Sequence, residues 1–431
     1  MDARRRVRVT CLALYLLAQT LFVVRVAQPS SYVFDEFHYV PAAKAYLSLT
    51  NNRNWEHPPL GKYFIGAGIA LLGDEALGWR FFSTVFGALI VVGMYLWALA
   101  IFREPRLAVW VALITLVDQY LYVMARIAML DVFMVCFMVW GLAAFSAAWE
   151  SGRDAASTRR LLRFAGAMFG LATAVKWEGL AAWGSCWLLL VGVRVLRGTG
   201  AVPQTPVPAA ADEPWHAADL WQRVGGRYLV LAFGLLPLAL YCVTFLPFLA
   251  LKWGPDNTLL GILRLQRAIL LGHLHVSGVH IYESPWYTWA LGLRPQWFAW
   301  ATDPDNPVYV RAILLLGNPL VMWAGFAAAF VSLWNWVRRG TRDALLVTAW
   351  YWGLYLAWAV VPRPLTFYHY YFAAAMALGL NLAYVFRRYE RGRLFPVVWA
   401  RWVFLAAAAV VFVIFFPVLA ALRMPGGWFP K

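Results

Sequence analysis

Five short strings in this 431-residue chain carry the residue types that chemistry needs. In VFDEFHY, Asp35 and Glu36 stand side by side among aromatics. A neighbouring charge and partial burial both raise a carboxyl pKa, which suits a general base; the same pair also suits a helix N-cap with a solvated neighbour. In HPPLGK, two prolines hold His57 in a rigid extended entry, Gly61 permits close backbone approach, and Lys62 opens an apolar run. That places an imidazole and a cation where a lipid phosphate would lie, or else a snorkelling lysine on an interfacial helix. LVDQYLYVMARIAMLD carries Asp118, Arg126 and Asp131, the last two spaced to pair across a tight turn. Lys176 and Glu178 are two apart, a spacing that does not face itself on a helix, so each must seek another partner. RPLTFYHYYF sets Arg363 before Tyr368 and His369, which either anchor a helix or reach into a cavity. Together these supply a base for an acceptor hydroxyl and cations for a departing phosphate.

The elements that position them are membrane helices. Hydrophobic residues make up 62% and charged residues 13%, too little polar surface for a soluble globule of this length. Disorder, fibre and disulfide scaffold are excluded. Cys11, Cys136, Cys186 and Cys242 all sit in apolar runs without a CxxC pair, so they read as buried hydrophobes, not as a disulfide framework or metal site. The apolar runs predict an all-α polytopic membrane protein with about eleven spans: 9–27, 80–102, 107–125, 127–148, 161–175, 178–196, 227–250, 308–336, 344–361, 366–385 and 398–422. The start MDARRRVRVT resembles a signal peptide but lacks a small-residue cleavage site, so it is read as a retained first helix.

Placing the N-terminus in the cytoplasm puts +13 of the net +16 charge in cytoplasmic segments, which fixes an N-in, C-out orientation. The basic balance then reports topology and gives no ground for a nucleic-acid partner. The chain reads as one membrane domain, 1–431. It has a first outer loop at 28–79, a Pro/Ala-rich cytoplasmic linker at 198–222, and a second outer loop at 251–307 with interfacial helices and no strand-rich pattern. HIYESPWYTWAL in that second loop suits an interfacial aromatic belt. No P-loop or GxGxxG before a strand occurs. The chemistry-bearing strings all fall on the outer face, as do all five lysines: 44, 62, 176, 252 and 431. Charges at a helix centre cost about 2.5–3.5 kcal/mol each on insertion scales, so this gathering calls for an anionic partner outside.

In this order, these strings resemble the dolichyl-phosphate-mannose–protein mannosyltransferases, within the GT-C class of membrane glycosyltransferases. FDEFHY is similar to the family's first-loop Asp-Glu motif. HPPLGK is similar to its histidine–diproline–lysine segment, and ARIAMLD, with Asp118 upstream, to its Arg…Leu-Asp junction. AVKWEGL resembles its Lys-Trp-x-Gly-Leu segment, and RPLTFYHYYF its Phe-x-Tyr-His-Tyr segment. ESPWYTWAL resembles its Ser-x-Trp stretch, with Ala290 where proline is usual. The chain lacks room for the β-trefoil MIR domain of eukaryotic members, so it resembles the compact bacterial ones.

The resemblance implies a GT-C fold and a polyprenyl-phosphate-mannose donor. It also implies inverting transfer to Ser/Thr hydroxyls of exported proteins. Asp35 and Glu36 are then the catalytic pair. His57, Lys62, Asp118, Arg126, Asp131, Lys176, Glu178, Arg363, Tyr368 and His369 are the donor-phosphate and substrate-binding candidates. The cations are numerous enough to replace an obligatory metal. A transferase acting on a lipid or envelope glycan (a lipid A aminosugar transferase, for example) is the nearest alternative, and a flippase for a lipid-linked anion is the alternative from another class. The expected location is a bacterial plasma membrane with the site facing outward. The sequence does not give the oligomeric state.

Overall fold

Asp2 opens the first helix, its carboxylate accepting from the Arg4 N–H, and the following residues are apolar enough to cross a bilayer as α1 (Ala3–Val23). The computed structural model describes residues 2–201, 213–252, 257–276, 278, 280–303, 305–390 and 399–427. After α1 the chain forms two helices in the loop before the next span, α2 (Glu36–Leu47) and α3 (Leu60–Leu72). Then come α4 (Ala76–Phe102), α5 (Pro105–Leu116), α6 (Gln119–Met124), α7 (Leu130–Ala148), α8 (Ala155–Val175) and α9 (Gly179–Gly198). Short helices α10 (Leu220–Val224) and α11 (Gly226–Leu229) lead through a π turn into α12 (Leu236–Val243). The later helices are α13 (Leu259–Leu274), α14 (Pro319–Arg339), α15 (Arg342–Val360), α16 (Phe372–Tyr389) and α17 (Ala400–Leu419).

Among the described residues, seven stretches are long and apolar enough to span: α1, α4, α7, α9, Gly226–Leu249, α14 and α17. The other expected spans coincide with helices that are shorter, such as α5, or that begin with charge, such as α8. α7 is the central helix, with 83% of its apolar window buried, whereas α1 and α17 bury only 17% and 22% and present their sides to lipid. Glycines let backbones touch. A Cβ on Gly166 would lie 2.1 Å from the Ala232 carbonyl oxygen, so α8 and the π turn pack without side chains between them.

Two expectations are corrected. The run 308–336 is not one helix: Tyr309–Leu315 is a strand, β2, and the helix begins only at Pro319, with the Asn318 side chain accepting from the Leu320 N–H. The β-branched and aromatic start of the run suits a strand, and Gly317-Asn318-Pro319 supplies the break. β2 pairs antiparallel with β1 (Gln296–Thr302) and with β3 (Met424–Pro425), in order β1-β2-β3, so the second loop contributes one strand to a small sheet completed by residues beyond it. The run 107–125 is broken at Asp118, which caps α6 by accepting from the Tyr120 N–H at 2.9 Å. Residues 202–212 of the expected linker lie outside the described residues, as does Lys431.

The two ends of the bundle are defined by arginines that bind backbone carbonyls. Arg25, just past α1, donates to the carbonyls of Ala420 and Ala421, so α1 and α17 finish at the same end. The start of α1 therefore lies at the opposite end of the bundle. There Arg342 is buried and donates to the carbonyls of Trp149, Ile101, Ala100 and Ser146. It ties together the last turns of α4 and α7.

Candidate active site

α2 starts at the Asp-Glu pair, and the structure separates the two carboxylates completely. Glu36 is fully buried and receives Arg80 side-on, Nε to Oε1 and Nη2 to Oε2, both at 2.7 Å. The Val33 N–H and the Ala128 N–H donate to the same two oxygens at 2.9 and 2.8 Å. Arg80 spends its other donors on the carbonyls of Val26, Pro29 and Ser31. Glu36 is thus a saturated acceptor that ties the first loop to α4 and to the start of α7. Asp35 is half-buried and accepts one hydrogen bond, from the Tyr39 hydroxyl to Oδ2 at 3.2 Å, one helical turn on. Its Oδ1 has no protein partner among the described residues. Burial raises its pKa, and the charges of Lys176 and His38 only partly offset this.

Beside Asp35 lies an ion cluster made by three elements. Lys176, just past α8, is buried with Nζ 3.0 Å from Asp131 Oδ1 and 3.3 Å from Glu178 Oε1. The expected partner of Asp131 was Arg126; Lys176 takes that place because the end of α8 packs against the start of α7. Lys176 Nζ also sits 5.0 Å from the centre of the Tyr370 ring, and the Arg363 guanidinium lies 5.2 Å from the same ring. Arg363 donates from Nε to the Leu365 carbonyl and from Nη1 to His273 Nδ1 at 2.6 Å. Its Nη2 has no partner among the described residues.

An arginine is always a donor, so His273 Nδ1 accepts and its proton is on Nε2. The His273 ring also hydrogen-bonds the Glu56 backbone, which links α13 to the first loop. The His57 ring stands 5.4 Å from the His273 ring and 6.0 Å from Tyr39, and its buried Nδ1 has no hydrogen-bond partner among the described residues. Burial, then nearby cations, hold both imidazoles below the usual histidine range and therefore neutral at pH 7.

The other expected ligands are engaged elsewhere. Lys62 is fully buried, and its Nζ donates to the carbonyls of Asn54 at 2.6 Å and His57 at 2.8 Å, closing the loop that carries His57. Arg126 donates to the carbonyls of Leu419 and Arg25 and stacks 4.9 Å over Tyr122, so it joins α1 to α17. Asp118 caps α6 and accepts from the Asn318 N–H. Tyr368 accepts on its hydroxyl from the Gly317 N–H, and its carbonyl accepts from the Tyr120 hydroxyl. His369 Nδ1 lies 3.1 Å from Gln296 Oε1 on β1, and its ring packs on Phe34, the residue before Asp35. The small sheet therefore braces the segment that carries Asp35.

Of the sequence candidates, the fold brings together Asp35, His57, Asp131, Lys176, Glu178 and Arg363. Sequence reasoning missed Arg80, Tyr39, His273 and Tyr370. Arg80 only marked the start of the expected span 80–102. Tyr39 follows Asp35 at i, i+4. His273 belongs to a histidine-rich stretch whose helix gave no hint of where it docks.

Residues 56–197 match the family described as dolichyl-phosphate-mannose-protein mannosyltransferase. A polyprenol-phosphate-mannose–protein mannosyltransferase of Mycolicibacterium smegmatis is 28% identical over 405 residues, covering 81% of this chain and 75% of that one. Over most of its length this chain is similar to polyprenol-phosphate-mannose–protein mannosyltransferases. The enzyme of the same name from Corynebacterium glutamicum is 25% identical over 410 residues, 78% of this chain and 74% of that one. In fold, the chain resembles the Saccharomyces cerevisiae protein O-mannosyltransferase Pmt1-Pmt2 complex bound to the sugar donor. The TM-score is 0.77 at 13% identity, over 96% of this chain and 90% of that one. ArnT from Cupriavidus metallidurans bound to undecaprenyl phosphate matches with TM-score 0.61 at 17% identity, over 97% of this chain and 66% of that one. The architecture is the GT-C fold of an integral membrane protein.

Proposed function

We propose that this protein transfers mannose from a polyprenyl-phosphate-mannose donor to Ser or Thr hydroxyls of exported proteins, with inversion at the anomeric carbon. The observation that carries the reading is the pairing of two unspent groups around Tyr370: the open Oδ1 of Asp35 and the open Nη2 of Arg363. Asp35 takes the proton of the acceptor hydroxyl as its oxygen attacks the anomeric carbon, and the bond from that carbon to the phosphate oxygen breaks with its electron pair on phosphate. Arg363 receives the departing phosphate through Nη2, with His273 fixing the guanidinium in place. Lys176 carries a positive charge already balanced by Asp131 and Glu178, so it sets the local field more than it binds a free anion. Glu36 holds the loop and takes no proton in this scheme.

The excess of arginine at the N-terminal end of the bundle supports a cytoplasmic location for that end, and an outward-facing site in a bacterial plasma membrane. The deciding test incubates purified protein with polyprenyl-phosphate-mannose and a Ser/Thr-rich peptide, following peptide mass. A hexose on the peptide, absent with Asp35→Asn, is the expected result. Transfer only to a lipid or glycan acceptor overturns the protein-acceptor assignment, and transfer undiminished in Asp35→Asn overturns the mechanism.

A further inference from the structure

Arg159, Arg160 and Arg163 are exposed on one face of the first turns of α8. Among the described residues none of them has a carboxylate within ion-pair distance. Their neighbours at the same end of the bundle differ: Arg103, Arg153, Arg197 and Arg387 each pair with at least one Glu or Asp. The three unpaired arginines line a concave surface of about 300 Å³ together with Ala156 and Tyr228.

Its shape is built into the backbone. The Tyr228 hydroxyl donates to the Arg159 carbonyl at 2.7 Å, and the Arg159 guanidinium lies 5.5 Å from the centre of the Tyr228 ring. Below it, Gly166 and Gly170 let α8 contact the backbone at Ala232 and Pro237, so the two walls cannot separate independently. Arg159 precedes Lys176 by seventeen residues of near-continuous helix, roughly 25 Å along the axis. The surface therefore lies a bilayer core away from the Asp35 cluster and belongs to the other membrane face.

We infer that this surface binds the phosphate headgroup of an anionic phospholipid in the leaflet opposite the Asp35 site. Guanidinium groups match phosphate oxygens, and basic pockets between helices at a membrane face are suited to acidic headgroups. A lipid is favoured over a free phosphate by Phe164, 41% exposed one turn beyond Arg160 toward the membrane centre, which offers an acyl chain a wall. The inference is independent of the transfer reaction.

The experiment is native mass spectrometry of the full-length protein released from mild detergent with equal amounts of phosphatidylglycerol and phosphatidylcholine. The variants are Arg159→Gln/Arg160→Gln/Arg163→Gln and, as a charge-matched control at the same end, Arg338→Gln/Arg339→Gln/Arg388→Gln. Phosphatidylglycerol adducts exceed phosphatidylcholine adducts by about tenfold in the wild type and in the control, and this preference is lost in the first variant. The single changes Arg160→Gln and Arg163→Gln lower it partially and serve if the triple variant does not fold. Equal loss in the control shows a diffuse charge effect and overturns the site. Displacement of the lipid by millimolar inorganic phosphate overturns the lipid assignment in favour of a simple anion site.

Discussion

Arg80 meets Glu36 in a two-pronged ion pair, 2.7 Å at each prong, with both side chains fully buried. This one contact decides the division of labour within the Asp-Glu pair. A carboxylate holding four donors on two oxygens has no lone pair to offer a substrate, whereas its neighbour Asp35 has an oxygen to spare. The two residues are adjacent in sequence, yet one is a fastener and the other is open to chemistry.

Substituting the pair should separate these roles. Asp35→Asn is expected to lower sugar transfer by at least about 10²-fold with little change in thermal stability, the signature of a lost general base. Glu36→Gln leaves a buried guanidinium uncompensated and should cost about 3–5 kcal/mol of stability. Parallel measurement of transfer rate and detergent-solubilised unfolding temperature checks both, and equal unfolding temperatures for the two variants would contradict the assignment.

Arg363→Gln is expected to weaken donor binding roughly ten- to a hundred-fold, the range for a lost hydrogen bond to a charged group. Lys62→Met should instead free the loop that Lys62 closes through the carbonyls of Asn54 and His57. Its first symptom is faster proteolysis around residues 51–56, with a smaller loss of donor affinity than Arg363→Gln. Titrating polyprenyl phosphate against each variant tests the ordering.

The pH dependence follows from Asp35. Burial raises its pKa, so the Asp35 carboxylate forms only above the usual carboxylate range near about 3.9, and with Asp35 as the proposed base the acid limb of kcat/KM should lie correspondingly higher. The sign for stability is opposite. A folded-state pKa above the unfolded one means that the folded protein holds the proton more tightly, so the contribution of Asp35 to stability is full at low pH and is lost as pH rises through the raised value. A pH–rate profile with its acid limb at the ordinary carboxylate value would count against Asp35 as the base.

Gly61 of the HPPLGK string has a packing role that a substitution exposes. A Cβ there would lie 2.8 Å from Leu130 Cδ2 and 3.0 Å from Val175 Cγ1, so α3 seats directly against α7 and the end of α8. Gly61→Val should cost about 1–3 kcal/mol through overpacking, while Gly152→Ala, with nothing within 4 Å, should be close to neutral. Thermal unfolding of the two variants makes the comparison.

Much of this was legible in the chain itself, because a bilayer imposes simple rules. Hydropathy marks the spans, and a charge that hydropathy does not explain marks a site or a clamp. Asp35, His57, Asp131, Lys176, Glu178 and Arg363 were all recognisable in that way. The break in the 308–336 run was also written in Gly317-Asn318-Pro319, but the continuous hydropathy on either side masked it.

What the sequence by itself determined is which residues carry charge where lipid penalises it, and hence that they must be gathered at one end of a bundle. Only the tertiary structure decided what each charge spends itself on. Lys62 and Arg126 read as phosphate ligands until the packing of loops and helix ends offered them backbone carbonyls, and the partner that the spacing left open for Lys176 became Asp131 when α7 packed against the end of α8. The physical reason is that buried donors and acceptors must be paired, and the nearest partner is set by which elements touch. Spacing along the chain does not contain that information. Among the described residues, Arg363 Nη2 and Asp35 Oδ1 stand out as unspent only once the partners of Lys62, Arg126 and Lys176 are known.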